Sequence, residues 1–185
     1  MPLKSASAPY PEFWLRKIRS MFAMFDHDQD GVIHREDIVD WCVKNAKGRL
    51  NQVQMEVFQE LMDEAWEYYW AGEEKRTEVT LYDIADSVNR TYQAPGFKAL
   101  QDKWLGTCFD KVADIDGDGY LTLEEFTSFL GLFGVHPLSV PACFEALKTN
   151  KDDLISREQF VQKGKEFAYI TVNSPAKMFW GPFIA

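Results

Sequence analysis

The stretch that decides the fold runs from residue 114 to residue 125 and reads DIDGDGYLTLEE. A twelve-residue calcium loop needs oxygen ligands at positions 1, 3, 5, 7, 9 and 12, and glycine at position 6, where φ is positive. Position 6 is Gly119, and the predicted ligands are Asp114, Asp116, Asp118, Tyr120 (through its carbonyl), Thr122 and Glu125. Apolar residues recur at helical spacing on both sides. The sequence therefore predicts a helix–loop–helix unit that holds a divalent cation.

Another acidic loop, from residue 26 to residue 37, follows the same pattern with a change at two positions. Counted along the chain, loop 26–37 is the first loop and loop 114–125 is the third. Aspartate replaces glutamate at position 12 and is one methylene shorter, so it is expected to offer one oxygen rather than two. Fewer ligands favour six-coordinate geometry, which magnesium tolerates. This loop is therefore predicted to bind calcium and to accept magnesium readily. Its predicted ligands are Asp26, Asp28, Asp30, Val32 (through its carbonyl), His34 at position 9 and Asp37 at position 12.

Acidic turns often serve only as solvated, capped connections between helices. In both loops, however, three aspartates fall within five residues, and a fourth carboxylate follows at position 12. Four carboxylates that converge on one point repel each other unless a cation neutralises them. The crowding therefore favours two metal sites over two simple turns.

Two further polar breaks also lie between helical stretches, but their residues do not match the ligands that a calcium loop requires. With Val79 at position 8, the second break puts Arg76 at position 5, where a ligand belongs. With Ile155 at position 8, the fourth break puts Lys148 at position 1 and leaves Asn150 and Asp152 at positions 3 and 5. Because a fixed side-chain cation excludes a metal cation, both loops are predicted to be degenerate, and the chain is predicted to bind two ions.

The chain thus contains four helix–loop–helix units in two pairs, an internal repeat. We expect an all-α fold, one compact globule, with short β contacts between paired loops at Val32-Ile33, Val79, Leu121 and Ile155. Pro95-Gly96 separates the halves. The predicted organisation is a flexible arm (1–10), a first pair (11–94), a second pair (95–172) and a tail that packs on the core (173–185).

Composition limits the partners. The chain has 29 acidic and 20 basic residues, a net charge of −9, so nucleic acid and anionic membranes are unsuitable partners. The apolar runs are too short to span a bilayer, and the N-terminus has no secretory h-region. No catalytic motif is recognisable. We expect a cytoplasmic, monomeric binding protein without an obligate protein partner, and not an enzyme.

With these loops in view, the chain resembles the four-EF-hand sarcoplasmic calcium-binding proteins of invertebrates over nearly its whole length. Its C-terminal Phe179-Trp180-Gly181-Pro182 is similar to the ending of some members. The resemblance implies a helical globule that binds calcium, and often magnesium, as a soluble buffer in the sarcoplasm of muscle. Phe109 and Val112 lie one residue further from loop position 1 than Phe22 and Phe25 do. The helix entering the third loop is therefore expected to be locally distorted.

Two alternative functions share this architecture. A calcium sensor would open a methionine-rich groove for a target helix, but this chain has 6 Met against 14 Phe, 7 Tyr and 6 Trp, which favours a filled interior. A relative that encloses an imidazopyrazinone luciferin would share the aromatic interior. A photoprotein also needs histidines inside its cavity, whereas His27 and His34 belong to the first loop and His136 precedes Pro137. A Ca/Mg-exchanging buffer is the favoured interpretation.

Overall fold

Eight α-helices and four short strands form the part of the chain that the computed structural model describes, residues 10–148 and 153–183, with the backbone alone at 92 and 93. The helices are α1 (Glu12–Ala23), α2 (Arg35–Ala46), α3 (Gln52–Ala65), α4 (Leu81–Gln93), α5 (Phe97–Cys108), α6 (Leu123–Leu132), α7 (Val140–Leu147) and α8 (Arg157–Tyr169). The strands are β1 (Val32–His34), β2 (Glu78–Thr80), β3 (Tyr120–Leu121) and β4 (Ile155–Ser156). The predicted all-α fold is confirmed. The arm predicted for residues 1–10 lies outside the described residues except for Tyr10, as do Asn150 and Asp152.

The strands join the loops in pairs, as predicted. In the first half, β1 and β2 are antiparallel and place Ile33 opposite Val79. In the second half, β3 and β4 place Leu121 opposite Ile155. All four of these side chains are buried. Each pair of position-8 residues therefore anchors two loops to one core.

The helix that leaves each loop begins with a capping box, in which the N-cap and N3 residues satisfy each other's free backbone N–H groups. The N-cap residue occupies loop position 9 and the N3 residue occupies position 12. Two residues therefore start the helix and shape the loop together, whether or not the loop is acidic. The four pairs are His34 with Asp37, Thr80 with Asp83, Thr122 with Glu125, and Ser156 with Gln159.

The distortion predicted before the third loop is present. Helix α5 continues into a π-helical segment, Phe109–Ala113, which accommodates the extra residue and keeps Phe109 and Val112 buried. A π-helical segment, Trp66–Ala71, also extends α3. Gly72 and Asp114 begin the second and third loops. The helix that precedes each of them is therefore wound more widely in its last turn.

Helical spacing alone does not identify the core face of the helical run 52–71. Val53 in α3 and Tyr68 in the π-helical extension fit one helical period with Leu61 and Ala65 but are 69% and 45% exposed, whereas Phe58 and Met62 of α3 are buried. The helix carries apolar residues on more than one face, so spacing alone does not identify the face that meets the core.

The two halves are joined by buried hydrogen bonds. In α1, Trp14 Nε1 donates to Ala168 O (2.8 Å), and the fully buried Lys17 Nζ donates to Phe167 O (2.5 Å) and to Ile170 O. These carbonyls belong to the C-terminal end of α8, where backbone acceptors have no helical partner. Helix α1 therefore caps α8 across the interface. Burial lowers the pKa of Lys17 to about 8.

The aromatic interior is not completely filled. A cavity of about 80 Å³ lies between the halves, lined by side chains that include Phe25, Trp70, Trp104 and Gln101. Phe179, in the C-terminal segment, is buried, with its ring 4.9 Å from that of Phe160. Among the described residues, no helix combines the length and apolar character needed to cross a membrane.

Candidate metal centres

The structure brings the predicted aspartates of both acidic loops together. Carboxylate oxygens of Asp114, Asp116 and Asp118 lie within 4.8 Å of one another. The same separation holds for the first-loop set, Asp26, Asp28 and Asp30. Along the described chain, these are the two groups of three or more metal-ligating side chains found so close together.

The third loop is shaped by backbone hydrogen bonds to its own carboxylates. Asp114 Oδ1 accepts from Gly117 N (2.9 Å) and its Oδ2 from Gly119 N (3.0 Å). Asp118 Oδ1 accepts from Tyr120 N (2.8 Å). Gly119 has φ of 85°, a value that an L side chain rarely adopts. The chain itself thus curls around the three aspartates.

Glu125 closes this loop from position 12. Its Oε1 accepts from Ile115 N (3.1 Å), ten residues earlier, and its Oε2 accepts from Thr122 N (2.9 Å) and Oγ1 (2.8 Å). Partial burial opposes ionisation, but these hydrogen bonds outweigh it and lower the pKa of Glu125. The side chain therefore stays charged and folds back over the start of the loop.

The first loop is organised more loosely. Asp26 Oδ1 accepts from Gly31 N at 3.4 Å, a longer contact than its third-loop equivalent. Asp37 Oδ2 accepts from His34 N (2.8 Å) at the helix start. The shorter aspartate is thus held at the capping box, as the missing methylene predicts. The pattern of residues is the same, but the position-12 carboxylate makes a local contact instead of one that crosses the loop.

His34 lies between two carboxylates. Its Nδ1 is 3.6 Å from Asp37 Oδ2, and its Nε2 is 3.7 Å from Glu78 Oε2 on the paired strand. The backbone carbonyls predicted as position-7 ligands belong to Val32 and Tyr120, both within the β contacts. All twelve predicted residues therefore lie in the two acidic loops, and six of them form the close aspartate groups.

The second loop contains its own cation. The Arg76 guanidinium contacts Glu74 at position 3 and lies 3.6 Å (Nε to Oδ1) from Asp83 at position 12. Thr80, the N-cap, donates its hydroxyl to Asp83 and lowers the pKa of that carboxyl. A fixed positive charge thus stands between the side chains that would ligate a metal. The sequence predicts that an arginine at position 5 excludes a metal, but it does not predict that Arg76 contacts both Glu74 and Asp83.

The fourth loop is arranged similarly. The Lys148 ammonium at position 1 pairs with Asp153 and with Glu145 (2.7 Å). Asp153 has φ of 55° at position 6, so this loop retains the left-handed turn without glycine. In both degenerate loops, a side-chain cation at a ligand position therefore pairs with carboxylates of the described residues.

Four paired helix–loop–helix units, two of them with converging aspartates, are the arrangement found in EF-hand proteins. A family model described as an EF-hand domain pair matches residues 15–45, and one described as EF hand matches residues 111–130. The chain is 28% identical to the sarcoplasmic calcium-binding protein of Perinereis vancaurica tetradentata over 174 residues, 94% of this chain and 99% of the relative.

Two further comparisons agree. The luciferin-binding protein of Renilla reniformis is 28% identical over 179 residues, 93% of this chain and 95% of that protein. The amphioxus sarcoplasmic calcium-binding protein structure matches with a TM-score of 0.62 and 17% identity, over 94% of this chain and 98% of that one, which shows the shared fold. The predicted resemblance to sarcoplasmic calcium-binding proteins is confirmed. These relatives are named for binding calcium or a luciferin, in agreement with a binding protein rather than an enzyme.

Proposed function

We propose that this chain binds two calcium ions and acts as a calcium buffer in the cytoplasm, with exchange of magnesium at the first loop. One observation carries the proposal: two groups of three aspartates whose oxygens lie within 4.8 Å of one another. Like charges this close need a compensating cation. Bound calcium supplies that charge, and two ions would change the net charge from −9 to −5.

The residues assigned to the third loop fit a calcium ion. Asp114, Asp116, Asp118 and Glu125 offer the carboxylates, and Tyr120 and Thr122 offer oxygen at positions 7 and 9. Hard oxygen donors are the ligands that calcium prefers. The backbone contacts to Asp114 and Glu125 hold the cage in shape before an ion arrives.

The first loop is assigned the exchangeable site. Asp26, Asp28 and Asp30 provide the close carboxylates, Val32 the carbonyl, and His34 and Asp37 complete positions 9 and 12. Asp37 is short and is already held by His34 N. A site with fewer oxygens favours magnesium relative to a seven-coordinate site. Calcium uptake there then waits for magnesium to leave, which gives a slow buffer.

The contacts between the halves support a buffer over a sensor. A sensor must separate its helices to expose a groove. Here, opening would break the buried bonds from Trp14 and Lys17 to α8, and that from Trp104 Nε1 to Leu61 O (3.0 Å). The organisation proposed is therefore two rigidly joined pairs, 11–94 and 95–172, each with one active and one degenerate loop.

Calorimetric titration with calcium, with and without magnesium, tests this proposal. We expect two ions to bind, with magnesium weakening one site much more than the other. Equal competition at both sites would contradict the assignment of magnesium to the first loop. A large rise in fluorescence of an apolar-surface dye on adding calcium would favour the sensor, and absorbance beyond the tryptophan band in purified protein would favour a luciferin-type ligand.

A further inference from the structure

A pocket of about 370 Å³ opens on the surface beside the first metal loop. Its wall combines the end of α1, the outer face of α2, the turn after α6 and the C-terminal segment. The residues that matter here are His27, Trp41, Gly134, His136 and Lys177. Its volume is within the range of small-molecule sites.

The pocket borders the inner cavity between the halves. The two spaces share four wall side chains, Met21, Met24, Phe167 and Trp180. The methionines are unbranched and flexible, so they separate the spaces with side chains that move easily. An apolar group placed in the outer pocket thus has a route, past two methionines, into an apolar interior.

Each space is lined by a residue with a buried polar atom that has no hydrogen-bond partner among the described residues. The outer pocket is lined by Trp41, whose Nε1 is such an atom, and the inner cavity by Gln101, only 4% exposed, whose Oε1 is another. Leaving such groups unpaired is costly. Gly134 lies close to the indole N–H: a Cβ there would be 3.0 Å from Nε1, so a larger residue at this position would crowd the donor.

The charge of the outer pocket is opposite to that of the protein. The chain carries −9 overall, yet the described wall of this pocket contains no aspartate or glutamate. Lys177 Nζ bonds to a neutral amide, Asn173 Oδ1 (3.1 Å), rather than to a carboxylate. His136 Nδ1 accepts from Leu138 N (3.2 Å), so its proton is on the other nitrogen, which can donate.

We propose that the outer pocket binds a monocarboxylic acid with an apolar body. The carboxylate pairs with Lys177 and accepts from the indole N–H of Trp41, and the apolar body extends past Met21 and Met24 toward the inner cavity. The proposal follows from the orphaned donor, the cationic wall and the apolar continuation. It is independent of the metal assignment. His27 of the first loop contacts the pocket wall, with its ring centroid 4.2 Å from that of Trp41 and the two rings tilted by 48°.

The test uses decanoate as the acid and decan-1-ol as its uncharged counterpart, titrated by calorimetry into the full chain in calcium. The variants are Lys177→Gln, Trp41→Phe and the control Lys103→Gln, which removes a charge from an exposed site outside the pocket. We expect one decanoate per chain and weaker binding of decan-1-ol. Lys177→Gln and Trp41→Phe should each weaken decanoate at least about tenfold, as loss of a hydrogen bond to a charged group does. Lys103→Gln should bind decanoate as the unchanged chain does.

Three results would overturn the proposal: no saturable decanoate binding, equal binding of acid and alcohol, or equal affinities in Lys177→Gln and Lys103→Gln. Thermal melts of each variant confirm that it is folded before titration. A calcium titration of the unchanged protein reports on the metal loops separately. Normal calcium uptake without decanoate binding would reject the acid site alone.

Discussion

Replacing Glu125 with glutamine should remove the third-loop ion and leave the first. The change keeps the size of the side chain but removes its charge and turns one acceptor oxygen into a donor. Two backbone N–H groups, of Ile115 and Thr122, and the Thr122 hydroxyl now bond to this carboxylate. The amide can satisfy only part of that set.

Two opposing effects act on the metal-free protein. The change relieves repulsion from the three aspartates, and it weakens charge-assisted hydrogen bonds. The pKa of Glu125 is lowered, so its surroundings favour the charged form and the hydrogen bonds outweigh the repulsion. We therefore expect Glu125→Gln to lower the metal-free unfolding free energy by about 1–2 kcal/mol.

Calcium should reveal the larger difference. One bound ion stabilises by about 2.7 kcal/mol when free calcium is a hundredfold above Kd, so two sites give about 5 kcal/mol. For a chain of this length, 1 kcal/mol shifts Tm by roughly 2–4 °C. The calcium-induced rise in Tm should fall from roughly 10–20 °C to roughly 5–10 °C in the variant.

Scanning calorimetry in calcium and in chelator measures both effects. The matched control is Glu124→Gln, which removes the same charge from the exposed neighbouring position. It should retain the full calcium-induced rise. The reasoning fails if Glu125→Gln still takes up two ions, or if both variants lose the same part of the calcium response.

Three other changes test separate parts of the account. Asp37→Glu should strengthen calcium binding at the first loop and reduce magnesium competition, because the longer side chain can offer two oxygens; calorimetric titration with both ions measures this. Arg76→Met should leave Asp83 without its cation and Glu74 with Arg90 alone, and lower the unfolding free energy by about 1–3 kcal/mol, measured by urea denaturation, without adding a calcium site. Lys17→Met tests the buried lysine by the pH dependence of stability. Below pH 8 the folded and unfolded states both hold its proton; from pH 8 toward 10.5 only the unfolded state does, so the original protein should gain about 3 kcal/mol relative to the variant.

Local sequence patterns predicted the features that depend on neighbours in the chain. The positions of Ile33 and Leu121 follow from the twelve-residue loop pattern, which fixes position 8 once position 1 is known, and Val79 and Ile155 are the apolar residues that align with them in the other two breaks. The π-helical segment before Asp114 follows from a shift of one residue between two apolar stripes. In both cases the information lies within about twenty residues.

The features that were not predicted depend on distant contacts or on ambiguous spacing. Nothing near Lys17 indicates burial, because its acceptors are carbonyls about 150 residues away. The second π-helical segment, Trp66–Ala71, lies in a run so rich in aromatics that several helical phases fit equally well. The exposed Val53 shows the same ambiguity.

The cation in each degenerate loop was partly predictable. The sequence placed Arg76 and Lys148 at ligand positions, which indicated that a metal would be excluded. It did not show that Arg76 contacts both Glu74 and Asp83, since that depends on side-chain direction. The structure adds that the cation at each of these ligand positions is paired with carboxylates, which gives a physical reason for a metal to be excluded there.

The most direct measurement is an anomalous difference map from crystals grown in ample calcium. The account predicts two peaks, one among the aspartates of loop 26–37 and one among those of loop 114–125, and no peak beside Arg76 or Lys148. Water or nothing at both acidic loops, or an ion beside either of those two cations, would contradict it.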